Sequence, residues 1–190
     1  MKYCNLRDIH ASAIVMGCMR IADKPLAQTE KVMFEAMRTG VNMFDLADVY
    51  AGGDSEKIFG VAMRDLEIPR KQFILQTKCG IRKDGEGKIV RFDFSKDYIL
   101  SSVESSLKRL NTEYIDILLL HRPDTLVETD EVVEAFGQLR AQGKVRAFGV
   151  SNFSASQITY PFSSTIFTPK RFKPERCKSI GRSPISQPPG

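Results

Sequence analysis

Histidine is scarce in this 190-residue chain: His10 and His121 are the only two, and the four cysteines (Cys4, Cys18, Cys79, Cys177) stand apart with no paired spacing. A structural zinc site needs clustered nitrogen and sulfur ligands, so no metal is expected. Scattered thiols fit a reducing, cytoplasmic setting. No apolar run approaches the roughly 18 residues of a bilayer span, which argues against a membrane partner. The longest apolar run near the start, residues 13–19, follows Arg7 and Asp8 and precedes no small-residue cleavage pattern. A secretory signal is therefore not expected. Nor does any G-x-G-x-x-G follow the first strand candidate, which weakens a Rossmann reading.

Net charge is also missing from most of the chain. Of 28 basic and 23 acidic residues, six and one lie in 158–190, so residues 1–157 carry 22 of each. The net charge of +5 belongs to the tail, and with no aromatic interleaving on a folded face no nucleic-acid partner is expected.

What is present is a repeated unit. Apolar runs at residues 14–18, 42–47, 73–77, 115–120 and 145–150 read as buried strands. Between them, Thr29 is a plausible N-cap for a helix with Val32, Met33, Ala36 and Met37 on one face and Gly40 past its end. Ser55 is the next cap, for a helix with Ile58, Ala62 and Leu66, stopped before Pro69. Residues 81–94, with Asp84-Gly85-Glu86-Gly87, read as an exposed loop. Ser95 opens a helix lined by Ile99, Val103, Leu107 and Leu110, and a last helix, about 130–142, turns Val132, Phe136 and Leu139 inward before Gly143. The alternation predicts an α/β fold with a parallel sheet covered by helices, of (β/α)8 TIM-barrel type with five units present.

After about Gln157 the pattern stops. Six of the nine prolines and five serines fall in 158–190, with no helical or alternating period. The expected organisation is the N-terminal part of a barrel over 1–157 and an atypical basic Pro/Ser-rich tail over 158–190. A frameshift, a misjoined exon or a prediction error would account for such a tail. Five strands leave two open edges, so the chain as given is expected to be poorly stable and prone to self-association, and a monomer if the barrel is complete.

Chemistry-bearing residues stand where the strands end: Asp45, Tyr50, Lys78 and His121. Each has a plain structural alternative: a turn-capping acid, a loop aromatic, a lysine reaching solvent, a loop histidine. Cys79 reads as a buried inert thiol, and Ser151 and Asn152 are ordinary turn formers. In a parallel α/β fold, however, the C-terminal strand ends are where reactive groups gather. A phenol beside an ammonium can donate a proton, a carboxylate can anchor the ammonium, and an imidazole can bind the accepting oxygen.

The stretch Phe44-Asp45-Leu46-Ala47-Asp48-Val49-Tyr50 resembles the D-x-A-x-x-Y signature of the aldo-keto reductases. Gly17-Cys18-Met19-Arg20 is similar to the loop after that family's first barrel strand, and Thr77-Lys78-Cys79-Gly80 to its lysine strand end. Residues 116–124 resemble its histidine strand, and residues 143–153 its fifth strand and loop. The likeness spans roughly 6–157 in order and spacing, and is nearest the bacterial monomeric reductases and their potassium-channel β-subunit relatives. It implies NADPH-dependent reduction of aldehydes or ketones, with Asp45, Tyr50, Lys78 and His121 catalytic. It also implies NADPH/NADP as cofactor, held by Gly17, Cys18, Met19, Asp45, Ser151 and Asn152, and a small carbonyl substrate as partner. The alternatives are a nucleotide-sensing subunit like the channel β subunits and an inactive reductase fragment, since later barrel units that grip the adenosine phosphates have no counterpart in 158–190.

Overall fold

A computed structural model describes residues 1–6, 8–84 and 89–162. The expectations for the tail from residue 163 onward lie outside the described residues.

The chain opens with an antiparallel hairpin, β1 (Tyr3–Leu6) and β2 (Ile9–Ser12). There follow β3 (Met16–Gly17), α1 (Leu26–Arg38), β4 (Met43–Asp45), α2 (Asp54–Asp65) and β5 (Ile74–Cys79). Next come β6 (Ile81–Asp84), β7 (Ile89–Phe92), α3 (Lys96–Leu110), β8 (Ile115–Leu120), α4 (Thr129–Ala141), β9 (Val145–Val150) and α5 (Ala155–Phe162). Strands β3, β4, β5, β8 and β9 form one parallel sheet in that order, the part-barrel expected from the alternation.

Side chains alternate across a pleated strand, which sorts this sheet into two faces. Leu75 and Cys79 of β5 point outward into the main core, which includes Met33 of α1, Phe59 of α2, Val103 of α3 and Phe136 of α4. Along the register, Gly17 aligns with Asp45, Asp45 with Gln76, Gln76 with Ile117, and Ile117 with Ala147. Lys78 aligns in turn with Leu119. This inner face begins with a small cluster in which Ile9 and Ala11 of the hairpin cover Met43, Ile74 and Ile117. Asn42 locks the hairpin on: its Oδ1 accepts from Ser12 N at 2.7 Å, and its Nδ2 donates to His10 O at 3.0 Å.

Several local expectations are corrected. Thr29 is not an N-cap: α1 starts at Leu26 after Pro25, whose fixed φ suits a helix entrance, and buried Thr29 donates its hydroxyl to Ile21 O. Val32 is exposed, because the stripe of α1 rotates onto Met33 and Met37. Ser55 lies inside α2, which starts at Asp54, and its hydroxyl donates to Met19 O. The first strand shrinks from residues 14–18 to Met16–Gly17, leaving Ile14 61% exposed.

The expected loop over 81–94 instead holds the antiparallel pair β6 and β7, with Ile81 opposite Phe92 and Asp84 opposite Ile89. Two short segments that each open on a β-branched isoleucine, on either side of a glycine-rich stretch, are a hairpin signal. The boundary after residue 157 falls inside α5. Its cause is a reciprocal cap: Ser154 N donates to Gln157 Oε1 at 2.8 Å, and Gln157 N donates to Ser154 Oγ at 3.4 Å. That S-x-x-Q pattern is a helix-start signal readable in the sequence.

Candidate active site

The chain places Asp45, Tyr50, Lys78 and His121 on one rim, at the C-terminal ends of β4, β5 and β8. Asp45 ends β4, and the chain then follows β5 onward, with Leu46 N donating to Gln76 O and Asp48 N to Lys78 O. Tyr50 is turned back by three successive left-handed residues, Ala51, Gly52 and Gly53, with φ of 50°, 65° and 99°. Glycine suits the last of these for a second reason. A Cβ on Gly53 would stand 2.8 Å from Arg109 Cδ.

Lys78 is the hub. Its residue is 5% exposed, and an ammonium has three hydrogens to place. They go to Asp45 Oδ2 at 2.8 Å, Leu46 O at 2.8 Å and the Tyr50 hydroxyl oxygen at 3.1 Å. Since the ammonium only donates, the Tyr50 oxygen accepts here, and its own hydrogen is free for another acceptor. The ammonium also sits 4.9 Å from the Tyr50 ring centroid. Asp45 is held from its other side by Gln76, whose Nε2 donates to Oδ1 at 2.6 Å. Gln76 lies two residues before Lys78 on the same strand face, a spacing that could have flagged it.

His121 follows β8, its N–H donating to Cys79 O at 2.9 Å. Its ring meets Tyr50 edge-on, with centroids 5.9 Å apart and planes at 81°. Burial, aided by the charges of Lys78 and Arg122, drives the imidazole down to about 4. It is therefore neutral near pH 7, with one N–H to offer. Nδ1 is buried without a partner among the described residues, which leaves Nε2 as the nitrogen able to meet a substrate.

The residues expected to hold a cofactor line the same rim unequally. Gly17 and Met19 are exposed, while Cys18 is fully buried, its N–H on Asp45 O at 2.8 Å. Burial pushes the Cys18 thiol up to about 12 and the Cys79 thiol well above its ordinary value, so both stay protonated. Asn152 adopts φ of 64°, and its Nδ2 donates to His121 O at 2.9 Å and to Ser151 Oγ at 3.0 Å. The Asn152 carbonyl and the Ser151 hydroxyl hydrogen remain for a ligand, which suits an amide-bearing group such as a nicotinamide carboxamide.

On the outer side of β5 sit polar residues that the motif alone does not reveal. Glu56 is fully buried, accepting from Thr77 Oγ1 at 2.6 Å and from Arg109 Nε at 2.7 Å. Asp48 lies beside them. Gly80, at φ of 104°, ends β5 against Phe94, whose ring occupies the space a Cβ would need.

Comparison with known proteins finds similar chains. The oxidoreductase YdhF of Escherichia coli K12 is 38% identical over 181 residues, covering 93% of this chain and 59% of its own length. The 6-dehydroglucose reductase of Agrobacterium fabrum is 35% identical, covering 76% of this chain and 51% of that protein. Among solved structures, the aldo-keto reductase AKR11C1 of Bacillus halodurans, in its holo form, superposes with a TM-score of 0.78 at 33% identity. That match covers 87% of this chain and 55% of the other. The chain thus spans about half the length of the curated relatives it matches. Among the described residues, no helix is long and apolar enough to cross a membrane. The model of the aldo/keto reductase family matches residues 13–163, and the chain belongs to that family.

Proposed function

We propose that this site reduces small aldehydes or ketones to alcohols with NADPH, Tyr50 donating the proton. The observation that carries the reading is the Lys78 ammonium, whose donated hydrogen bond to the Tyr50 oxygen leaves the phenolic hydrogen free.

Gly17, Met19, Asp45, Ser151 and Asn152 would hold the cofactor, with Cys18 contributing through its backbone. The chemistry that a bound nicotinamide supplies is a hydride for the carbonyl carbon. Negative charge then gathers on the substrate oxygen, and Tyr50 gives its proton there. As that proton leaves, Lys78 stabilises the charge left on the phenolic oxygen, while Asp45 and Leu46 O keep the ammonium in place. Neutral His121 donates a hydrogen bond to the same substrate oxygen and fixes its direction. A positioned proton donor contributes about 10²–10⁴-fold to such a rate.

Initial rates of NADPH consumption with a panel of small aldehydes and ketones test this in the full chain. Tyr50→Phe should lower kcat by about 10²–10⁴-fold with nucleotide binding retained. Equal turnover by the variant refutes the assignment of the donor. Saturable nucleotide binding with no turnover by the wild type would favour the sensing subunit instead.

A further inference from the structure

The Lys78 ammonium has three hydrogens, and the groups that receive them bring four acceptor oxygens: two on Asp45, one on Leu46 and one on Tyr50. A hydrogen bond to a carboxylate is roughly twice as strong as one to a neutral group. In open competition the Asp45 carboxylate would take two of the hydrogens, and the phenol would be the group left out. Each group instead receives one, Asp45 taking its share on Oδ2 at 2.8 Å.

The other carboxylate oxygen is occupied by Gln76. An ionised carboxylate only accepts, so the side-chain amide turns its NH2 toward it, and Nε2 donates to Oδ1 at 2.6 Å. Gln76 and Lys78 stand two residues apart on the inner face of β5, and Asp45 of β4 is the register partner of Gln76. The main chain of Gln76 acts in the same direction. Its carbonyl oxygen accepts from Leu46 N at 2.8 Å, and Leu46 O is itself an acceptor of the ammonium. One residue therefore ties down both groups that anchor Lys78. The Asp45 side chain is 24% exposed and its terminal torsion is broad, so packing alone does not choose which oxygen faces the ammonium.

We infer that Gln76 is a positioning residue for the proton donor: by occupying Oδ1 it holds Asp45 to a single bond with the ammonium and reserves one Lys78 hydrogen for the Tyr50 oxygen. Without that amide the carboxylate turns both oxygens to Lys78, and the ammonium follows it. The phenolic oxygen then loses the hydrogen bond that supports its negative charge as the proton leaves. The inference rests on the reading of Tyr50 as donor, so its test has one arm that needs no turnover.

Gln76→Met keeps the length of the side chain and removes the donor. Asp45→Asn leaves position 45 with a single acceptor oxygen, so the competition that Gln76 settles no longer exists. The two variants and their double form a cycle. In the first arm the ε-carbon resonance of Lys78 is followed in the full chain. Gln76→Met should move it, and the same substitution in the Asp45→Asn background should not. A resonance indifferent to Gln76→Met, or moved equally in both backgrounds, overturns the inference. Where the Met variant does not fold, Gln76→Asn withdraws the amide by one methylene and should move the resonance; an unmoved signal there is equally fatal.

The second arm separates kcat from KM with the carbonyl panel. In Gln76→Met kcat should fall about tenfold, as for a lost hydrogen bond to a charged group, with KM little changed. In the Asp45→Asn background the further loss should stay below about twofold. Equal losses in both backgrounds are what a purely structural glutamine gives, and they overturn the inference. A wild type without turnover removes the reading of Tyr50, while the resonance cycle still decides whether Gln76 governs Lys78 through Asp45.

Discussion

Replacing Arg109 by Met should show how strongly the helix layer depends on one ion pair. Glu56 is fully buried, and Arg109, with a side chain 25% exposed, donates to its Oε2 at 2.7 Å. The Met side chain keeps much of the packing volume near Gly53 but strands a carboxylate whose one remaining side-chain donor among the described residues is Thr77. Breaking a buried pair by removing one partner costs about 3–5 kcal/mol, most of it the penalty of the uncompensated charge. Against a total of about 5–15 kcal/mol for an ordinary domain, that is a large fraction. With an m-value of about 2 kcal/mol per molar urea, the midpoint of unfolding should drop by roughly 2 M. The double variant Glu56→Gln/Arg109→Met removes the stranded charge and should recover much of the loss, because the cycle separates the pair from its burial. A single variant within about 1 kcal/mol of wild type, or a double variant as unstable as the sum of the two singles, refutes this account.

Two further outcomes follow from the rim. In the folded chain the His121 imidazole is held at about 4, below its ordinary value, so it opposes protonation and its contribution to stability is lost as pH falls from about 6.5 through about 4. The difference in unfolding free energy between wild type and His121→Gln should therefore grow by up to about 3 kcal/mol as pH rises across that window, measured by urea titration at several pH values; a flat difference would contradict it. Gly80→Ala requires a side chain at φ of 104° where Phe94 already stands, and thermal unfolding should register a clear destabilisation. An unchanged melting temperature would mean that the end of β5 is looser than its geometry implies.

Much of this was readable before any coordinates. The runs at residues 42–47, 73–77 and 115–120 are largely apolar because a parallel sheet is covered on both faces, and strands β5, β8 and β9 lie within a residue or two of the runs at 73–77, 115–120 and 145–150. The grouping of the four rim residues follows from the same rule, since parallel strands put all their C-terminal ends on one side. The rest escaped for specific reasons. Tyr3–Leu6 and Ile9–Ser12 carry a mixed polar sequence and form strands only because each pairs with the other and Ile9 and Ala11 pack on Met43, Ile74 and Ile117. Glu56 and Arg109 are 53 residues apart, and nothing local announces that they meet. Asp48 reads as one more polar residue in a motif until its Oδ1 is seen buried with no partner among the described residues. Thr29 and Ser55 have the chemistry of caps but are overridden by neighbours that start their helices earlier.

The floor of the sheet is supplied by the first dozen residues, and this has a consequence for assembly. During synthesis β1 and β2 leave the ribosome before any surface they cover exists, and a lone two-stranded hairpin is marginal in water. It can be captured only once Asn42 has emerged to bridge it to the body, and it gains its full apolar contact only when Ile117 arrives. That end of the sheet is thus sealed late, by a segment synthesised before everything it covers.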